Sequence, residues 1–569
     1  LYLLFKLIEN IKILNIIFKL NNKGKLMKGL MQDWPLLVHT FIDHASIHHG
    51  DREIVTRKVE GDIHRTNYSE IHSRSRKFSK ALIRLGVKKS DVIGTLAWNT
   101  SRHLESWYGI TGVGAIYHTL NPRLFLEQLE YIINHAENKY IISDISFVQI
   151  LEQLEDKTPN VKGIIFLTDK EHMPETSLKN IFCFEEMIEN EDDNFNWIKV
   201  DESDACGLCY TSGTTGNPKG VLYSHKSNVL HTLVANNADA MGIKSTDSVM
   251  PVVPMFHANA WGLSFTAPMS GCKIVMPGMN MDGESIYKLL TEEKVTFTAA
   301  VPTVWLMLLQ YLEANNLKLP YLERVAIGGS AVPRVMLEKF ERDFDVSVMH
   351  AWGMTEMSPL GTIGAFKHGM EELSFEDKVD IKLKQGRASY MVEMKITDDE
   401  NNEIPWNGKD FGNLKVKGPF ISSQYMKGDG GEILDEDGFF DTGDVATIDK
   451  MGFMQITDRS KDVIKSGGEW ISSIELENVA VGHPDIAEAA VIGVVHPKWD
   501  ERPLLICVAN DGKKPSSKNI LDFLDGKLAK WWMPDDVVFV DEIPHTATGK
   551  IQKLTLRDQF KDYVLPSLK

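Results

Sequence analysis

Up to about residue 201 the sequence keeps switching between two periodicities, and this alternation limits the possible folds more than any other feature. Residues 69–85 carry apolar side chains at helical spacing, whereas residues 92–98 and 140–142 are short apolar runs of strand length. Strands separated by helices pair in parallel beneath helical layers, so an α/β layered architecture is expected. Residues 205–209, 248–253, 273–277, 297–301 and 322–327 read as further buried strands. At 569 residues the chain exceeds one core, because domains typically hold ~50 to 250 residues. The polar run DRSKDVIK at 458–465 separates two structured regions. We therefore expect a large N-terminal layered α/β domain with parallel sheets over 27–458, a boundary over 459–465, and a small α+β domain over 466–569. The small domain reads as helices at 473–481 and 518–530, strands at 487–494, 504–510 and 536–540, and a final polar loop. The charged, helix-prone stretch 367–384 reads as a solvated excursion.

Composition excludes several functions. A formal charge of −17 argues against a nucleic-acid partner, since phosphate contacts need an excess of Lys and Arg. Anionic ligands must then be held by local lysines and backbone amides. Five cysteines in a chain of this length form no disulfide framework, which points to the cytoplasm. Cys206 and Cys209 make a C-x-x-C, but no second pair follows at zinc-ligand spacing, and the run around them reads as a buried strand. His44, His48 and His49 read as solvated residues at a helix end. Gly109, Gly112 and Gly114 lack dinucleotide spacing and read as sites of tight helix packing. Residues 1–20 are broken by Lys6, Glu9, Asn10, Lys12 and Asn15, so no transmembrane segment is expected there. Apart from Tyr2, Glu9 and Gly24, residues 1–26 are all Ile, Leu, Lys, Asn or Phe, encoded by A/T-rich codons. They are expected to be a non-native or disordered extension, with translation starting at Met27 or Met31.

Residues 210–220, YTSGTTGNPKG, follow the apolar run 205–209 and suit an anion-holding loop. Gly213 and Gly216 let backbone N–H groups approach phosphate oxygens. Thr211, Ser212, Thr214 and Thr215 offer hydroxyls, and Lys219 adds a charge. The spacing is not that of a P-loop.

This string resembles the phosphate loop of the adenylate-forming superfamily, and further motifs of that family follow in order. Trp352-Gly353-Met354-Thr355-Glu356 resembles its aromatic-Gly-x-Thr-Glu motif. The resemblance implies that Glu356, with Thr211, holds Mg²⁺ and that Gly328, Gly329 and Ser330 line the adenine. Thr442-Gly443-Asp444 resembles the ribose motif, with Arg459 as a second ribose or phosphate contact. Lys461 falls at the family's hinge, so the resemblance implies that 459–465 is a hinge and 466–569 a mobile lid domain. The stretch 465–471 resembles the CoA tunnel, implying Gly467, Gly468 and Glu469 beside CoA and Lys465 and Trp470 near the nucleotide. Residues 544–551, PHTATGKI, resemble the catalytic-lysine loop, so Lys550 is expected to bridge the acyl carboxylate and the α-phosphate.

The strings PMFHANAW, HAWGMTEMSP, KSGGEWISS and HPKWDERP are similar to bacterial medium- and long-chain fatty acyl-CoA synthetases and 3-methylmercaptopropionate-CoA ligases. That similarity implies a carboxylic acid substrate, ATP, Mg²⁺ and CoA, an acyl-adenylate intermediate, and a homodimer. It places His257, Trp261, Val301 and Met354 at the acyl pocket, His257 also in a catalytic role and Trp261 as a gate. The alternative is an adenylation enzyme that passes the acyl group to a carrier-protein thiol. The segment 423–437 departs from the family pattern, which puts its surface packing in question.

Overall fold

The structure, a computed structural model, describes residues 29–211, 217–467, 469–545 and 551–568. The expected extension at 1–26 lies outside the described residues. Residues 29–36 form no helix or strand. The expected α/β class holds: a large N-terminal domain with parallel sheets is followed by a small C-terminal one.

Two sheets build the large domain. The first runs Ile181–Cys183, Ile164–Phe166, Tyr140–Ser143, Val92–Leu96, Ile116–Thr119, Ala205–Tyr210, Gly220–Ser224. It is parallel until its last pair, the antiparallel hairpin Ala205–Tyr210 with Gly220–Ser224. The second sheet has a parallel half, which includes Ser248–Pro251, Phe297–Ala300, Arg324–Ile327 and Ser347–Gly353. Ser347–Gly353 then pairs antiparallel with Leu360–Ile363, and the sheet stays antiparallel through Phe440–Ile448 and Phe453–Arg459. Ser347–Gly353 is thus the strand where pairing changes direction, with a bulge between Trp352 and Gly353.

The parallel strands are short and buried on both faces, as expected where helices cover a sheet. Helices Gly283–Glu292 and Pro302–Ala314 supply that cover, packing Ile286, Leu289, Trp305 and Leu308 onto Val325 and Val348. Helix Tyr68–Arg84 starts at Asn67, whose side chain accepts the Glu70 N–H, and packs against helix Ser101–Gly112. A Cβ on Gly109 would sit 2.6 Å from Phe78, and one on Gly112 2.4 Å from Trp197, so close packing accounts for both glycines.

The small domain pairs Ile486–His496 with one edge of Asp500–Ala509, whose other edge takes Asp536–Phe539 and, at Asp500, the hairpin Ile464–Ser466 with Glu469–Ile471. Helices Ser473–Val481 and Ser517–Leu524 pack on it.

Three expectations need correction. The stretch 367–384 is no solvated excursion: helix Phe375–Leu383 buries Val379, and buries Lys382 against Glu341. The helix expected over 518–530 ends at Leu524, with Gly526 at φ 77°. The tail is not all loop, because Lys553–Gln559 is helical. Among the described residues no helix is long and apolar enough to cross a membrane.

Candidate active site

The hairpin positions the Thr/Gly-rich turn. Tyr210 pairs with Gly220, and one more rung follows: the Thr211 N–H donates to the Lys219 carbonyl at 2.9 Å, and the Lys219 N–H donates to Thr211 Oγ1 at 3.1 Å. Ser212, Gly213, Thr214, Thr215 and Gly216 lie outside the described residues. Lys219 Nζ sits 5.0 Å from the centre of the Tyr425 ring. Tyr425 in turn donates its hydroxyl to Glu356 Oε1 at 2.6 Å. The foot of the turn and the Trp-Gly-Met-Thr-Glu motif, over a hundred residues apart, therefore meet across one tyrosine.

Glu356 follows the direction-changing strand on a single turn, Thr355–Met357, and is 6 % exposed. Its carbonyl accepts the Ser422 N–H at 2.7 Å, and the neighbouring Thr355 carbonyl accepts the Tyr223 hydroxyl at 2.7 Å. Gly353 is packed so tightly that a Cβ would lie 2.1 Å from the Pro359 carbonyl. Met354 lies against the core beside Trp352. Burial, then the nearby Glu356 carboxylate, push the Tyr425 hydroxyl up, so it stays a donor. A carboxylate oriented by such a bond is an oxygen donor of the kind Mg²⁺ takes.

Asp444 and Arg459 face each other on Phe440–Ile448 and Phe453–Arg459. Arg459 Nε lies 2.9 Å from Asp444 Oδ1, and Trp352 donates Nε1–H to Asp444 Oδ2 at 2.9 Å. The motif tryptophan thus orients the expected ribose carboxylate, itself 3 % exposed.

A second wall lies at the ends of the parallel strands. Asn99, buried, donates to the carbonyls of Pro251 and Val253 and accepts the Met255 N–H, fixing the chain as it leaves Ser248–Pro251. His257 follows, half-buried, and then Ala258, Asn259, Ala260 and Trp261 adopt φ of 43°, 61°, 53° and 54°. Left-handed backbone costs a non-glycine residue about 1–2 kcal/mol, so four in succession need a restraint. Buried side chains supply one: Tyr117 donates to Asn259 Oδ1 at 3.0 Å, Asn259 donates to Asn228 Oδ1 at 3.3 Å, and Asn228 donates to the Tyr117 oxygen at 3.3 Å. The turn brings the Trp261 ring 3.4 Å from where a Cβ on Gly328 would sit, and Val301 stands 3.0 Å from one on Gly329. Trp261 and Val301, expected at the acyl pocket, therefore meet Gly328 and Gly329, expected at the adenine, with Ser330 exposed beside them, whereas Met354 lies with Trp352.

Other expected residues stand apart, on the small domain or at its edge. Lys461 is exposed in the turn after Phe453–Arg459. Lys465 donates its N–H to Glu501, and Gly467, at φ 61°, packs under Trp499. Glu469 and Trp470 form a strand with Ile471. Gly468 and the loop through Lys550 lie outside the described residues.

A sequence family described as AMP-binding enzyme matches residues 42–426, and its C-terminal domain matches 475–550. The chain belongs to the AMP-binding enzyme family. This AMP-binding enzyme is 48 % identical over 538 residues to a 3-methylmercaptopropionyl-CoA ligase of Ruegeria lacuscaerulensis, covering 94 % of this chain and 99 % of the relative. It is 44 % identical to a medium-chain-fatty-acid–CoA ligase of Ectopseudomonas oleovorans, covering 95 % and 99 %. Among solved structures it resembles an anthranilate CoA ligase in complex with anthranoyl-AMP, with a TM-score of 0.81, 23 % identity, and coverage of 93 % and 99 %, which supports the fold.

Several side chains of the AMP-binding enzyme's site escaped the sequence reading. Tyr425 lies in the segment that departs from the family pattern, and its only local signal is an aromatic among polar residues. Asn228, Tyr117 and Tyr223 sit in helix or strand runs that read as plain structure.

Proposed function

We propose that the acid taken by this enzyme is an unbranched aliphatic carboxylate, 3-methylmercaptopropionate or a medium-chain fatty acid. The full-length likeness to relatives named for those two acids carries the reading. The enzyme is an ATP-dependent acid–CoA ligase that forms acyl-CoA through an acyl-adenylate and releases AMP and pyrophosphate. The carboxylate attacks the α-phosphorus, and CoA thiol then displaces AMP.

Each group has a part in this scheme. The 211–219 turn and Lys219 hold the phosphates. Asp444, kept in place by Trp352 and Arg459, accepts from the ribose. Glu356, oriented by Tyr425, carries Mg²⁺ with Thr211, and the ion neutralises phosphate charge when bound. Lys550 stabilises the charge that develops between carboxylate and α-phosphate. The Gly328–Ser330 backbone faces the adenine, while His257, Trp261, Val301 and Met354 face the acyl chain. The small domain, 466–569, pivots about Lys461 to bring Gly467, Gly468 and Glu469 to CoA, with Lys465 and Trp470 beside the nucleotide. We place the enzyme in the cytoplasm as a homodimer; its five free, buried cysteines suit a reducing compartment.

A panel of straight-chain acids, with 3-methylmercaptopropionate and anthranilate, assayed for thioester in the presence of ATP, Mg²⁺ and CoA, tests the substrate class. The highest kcat/KM is expected for 3-methylmercaptopropionate or a medium-chain acid; a preference for an aromatic acid would refute the reading.

A further inference from the structure

Helix Lys553–Gln559 begins three residues beyond Lys550 and grips the chain on both sides of the turn proposed as the hinge. Before the turn, Asp458 lies on strand Phe453–Arg459 and is 1 % exposed. Its Oδ2 accepts the Ser473 N–H at 3.0 Å and the Ser473 hydroxyl, while Lys553 Nζ stands 3.9 Å from Oδ1. Lys553 also donates to the Ser473 hydroxyl and pairs with Glu477 at 2.9 Å. After the turn, Arg557, one helical turn along, donates to the Asp462 carbonyl at 3.0 Å.

The two grips differ in what they join. If the pivot is Lys461, Asp458 belongs to the large domain, whereas Ser473, Glu477, Lys553 and Asp462 all move with the small one. The Lys553–Asp458 cluster then crosses the pivot, and the Arg557–Asp462 bond does not. A swing leaves Lys553 its Glu477 partner but takes Lys553 and Ser473 away from Asp458, a carboxylate 1 % exposed that is costly to leave without them. A swing of the small domain must therefore exchange the Asp458 contact for another.

We propose that Lys553 is a positioning residue: its contact with Asp458, shared with Ser473, sets the small domain in the conformation seen here. The proposal rests on the reading of Lys461 as the pivot. Removing the contact should bias one half-reaction against the other, because each is served by one placement of the small domain.

The test uses the full-length enzyme and two separate assays, acid-dependent pyrophosphate exchange and thioester formation from pre-made acyl-adenylate. Lys553→Met should change the ratio of the two rates at least tenfold, and the sign reports which half-reaction this conformation serves. Lys553→Arg should bring the ratio back to within about threefold of wild type, while Arg557→Met should scale both rates alike. If Lys553→Met does not fold, Ser473→Ala, which removes the shared hydroxyl, should shift the ratio in a smaller but measurable way. Lys461→Pro tests the pivot separately, since proline fixes φ. If Lys461→Pro blocks one half-reaction while Lys553→Met and Ser473→Ala leave the ratio unchanged, the clamp is wrong and the hinge stands. If Lys461→Pro spares both, the hinge reading falls and the clamp falls with it.

Discussion

The two walls of the site are held in different ways. On the side proposed for the nucleotide, Asp444 and Arg459 stand on neighbouring strands and Trp352 on a further strand of the same sheet, and Asp444 bonds both directly. On the side proposed for the acyl chain, His257 precedes a backbone turn that is left-handed at four non-glycine residues, Trp261 the last, and is kept so by Asn228 and Tyr117 from other elements. On this proposal, chemistry shared by every acid sits on regular structure, and the part that would meet the variable acid sits on backbone that stays in place only while its buried partners remain. Substitutions on the first wall should therefore cost rate with all acids alike, and substitutions behind the second should change which acid is preferred.

The largest effect should come from Lys550→Ala, which tests the role proposed for that lysine alongside the nucleotide wall. Adenylate formation is expected to fall by about 10²–10³, the usual loss when one oriented donor to developing charge is removed. Thioester formation from pre-made acyl-adenylate should change far less. Single-turnover assays of each half-reaction would decide it, and equal losses would mean that the lysine has another role.

Next is Asn259→Ala, aimed at the second wall. It removes the side chain that accepts from Tyr117 and donates to Asn228, leaving two buried polar groups short of partners. The left-handed turn should relax and Trp261 should shift from Gly328. We expect the kcat/KM ratio between a medium-chain acid and 3-methylmercaptopropionate to change by roughly tenfold, the scale of 1–3 kcal/mol typical of pocket contacts. The KM for ATP should hold. A uniform loss across the acid panel would erase the distinction between the walls.

Tyr425→Phe sharpens the comparison from the other direction. The hydroxyl donates to Glu356, and bonds to charged groups are worth ~1.5–3 kcal/mol at most. The substitution keeps the ring beside Lys219. We expect about a tenfold loss with every acid, together with a higher Mg²⁺ concentration for half-maximal rate. A change in acid preference would place Tyr425 on the wrong wall.

These cases show what a sequence makes legible. Glu356, Asp444 and Trp352 could be read because their chemistry depends on residue type within a short motif at a strand end. Tyr425, Asn228 and Asn259 could not, because their jobs come from partners 31 to 142 residues away. The parallel strands were visible as apolar runs, and several end a residue or two earlier than the run, as with Ser248–Pro251, where Asn99 takes over the bonding. Helix Lys553–Gln559 was hidden because Lys553 and Leu556 are its only buried residues, too few to show a period. Helix Phe375–Leu383 was misjudged because Lys382 looks solvated until Glu341 is beside it.

The smallest effect concerns His231, which supports the nucleotide wall from behind. Its Nε2 accepts the Leu360 N–H at 3.0 Å, just past Glu356, so the ring must be neutral at that nitrogen. Burial pushes its pKa down to about 3. The folded pKa is below the unfolded value near 6.5, so the contribution to stability is fully present above pH 6.5 and is lost as pH falls toward 3. No inflection from His231 should then appear in kcat between pH 6 and 8. Between pH 6.5 and 5.5 the unfolded chain gains its proton first, which should lower stability by up to about 1.4 kcal/mol per pH unit for this one group. His231→Gln can still accept the Leu360 N–H but does not titrate, so its urea midpoint should fall less than that of the wild type between pH 7 and 5.5. Identical falls would mean that the imidazole takes up its proton at the same pH in the folded and unfolded enzyme and that another atom receives the Leu360 amide.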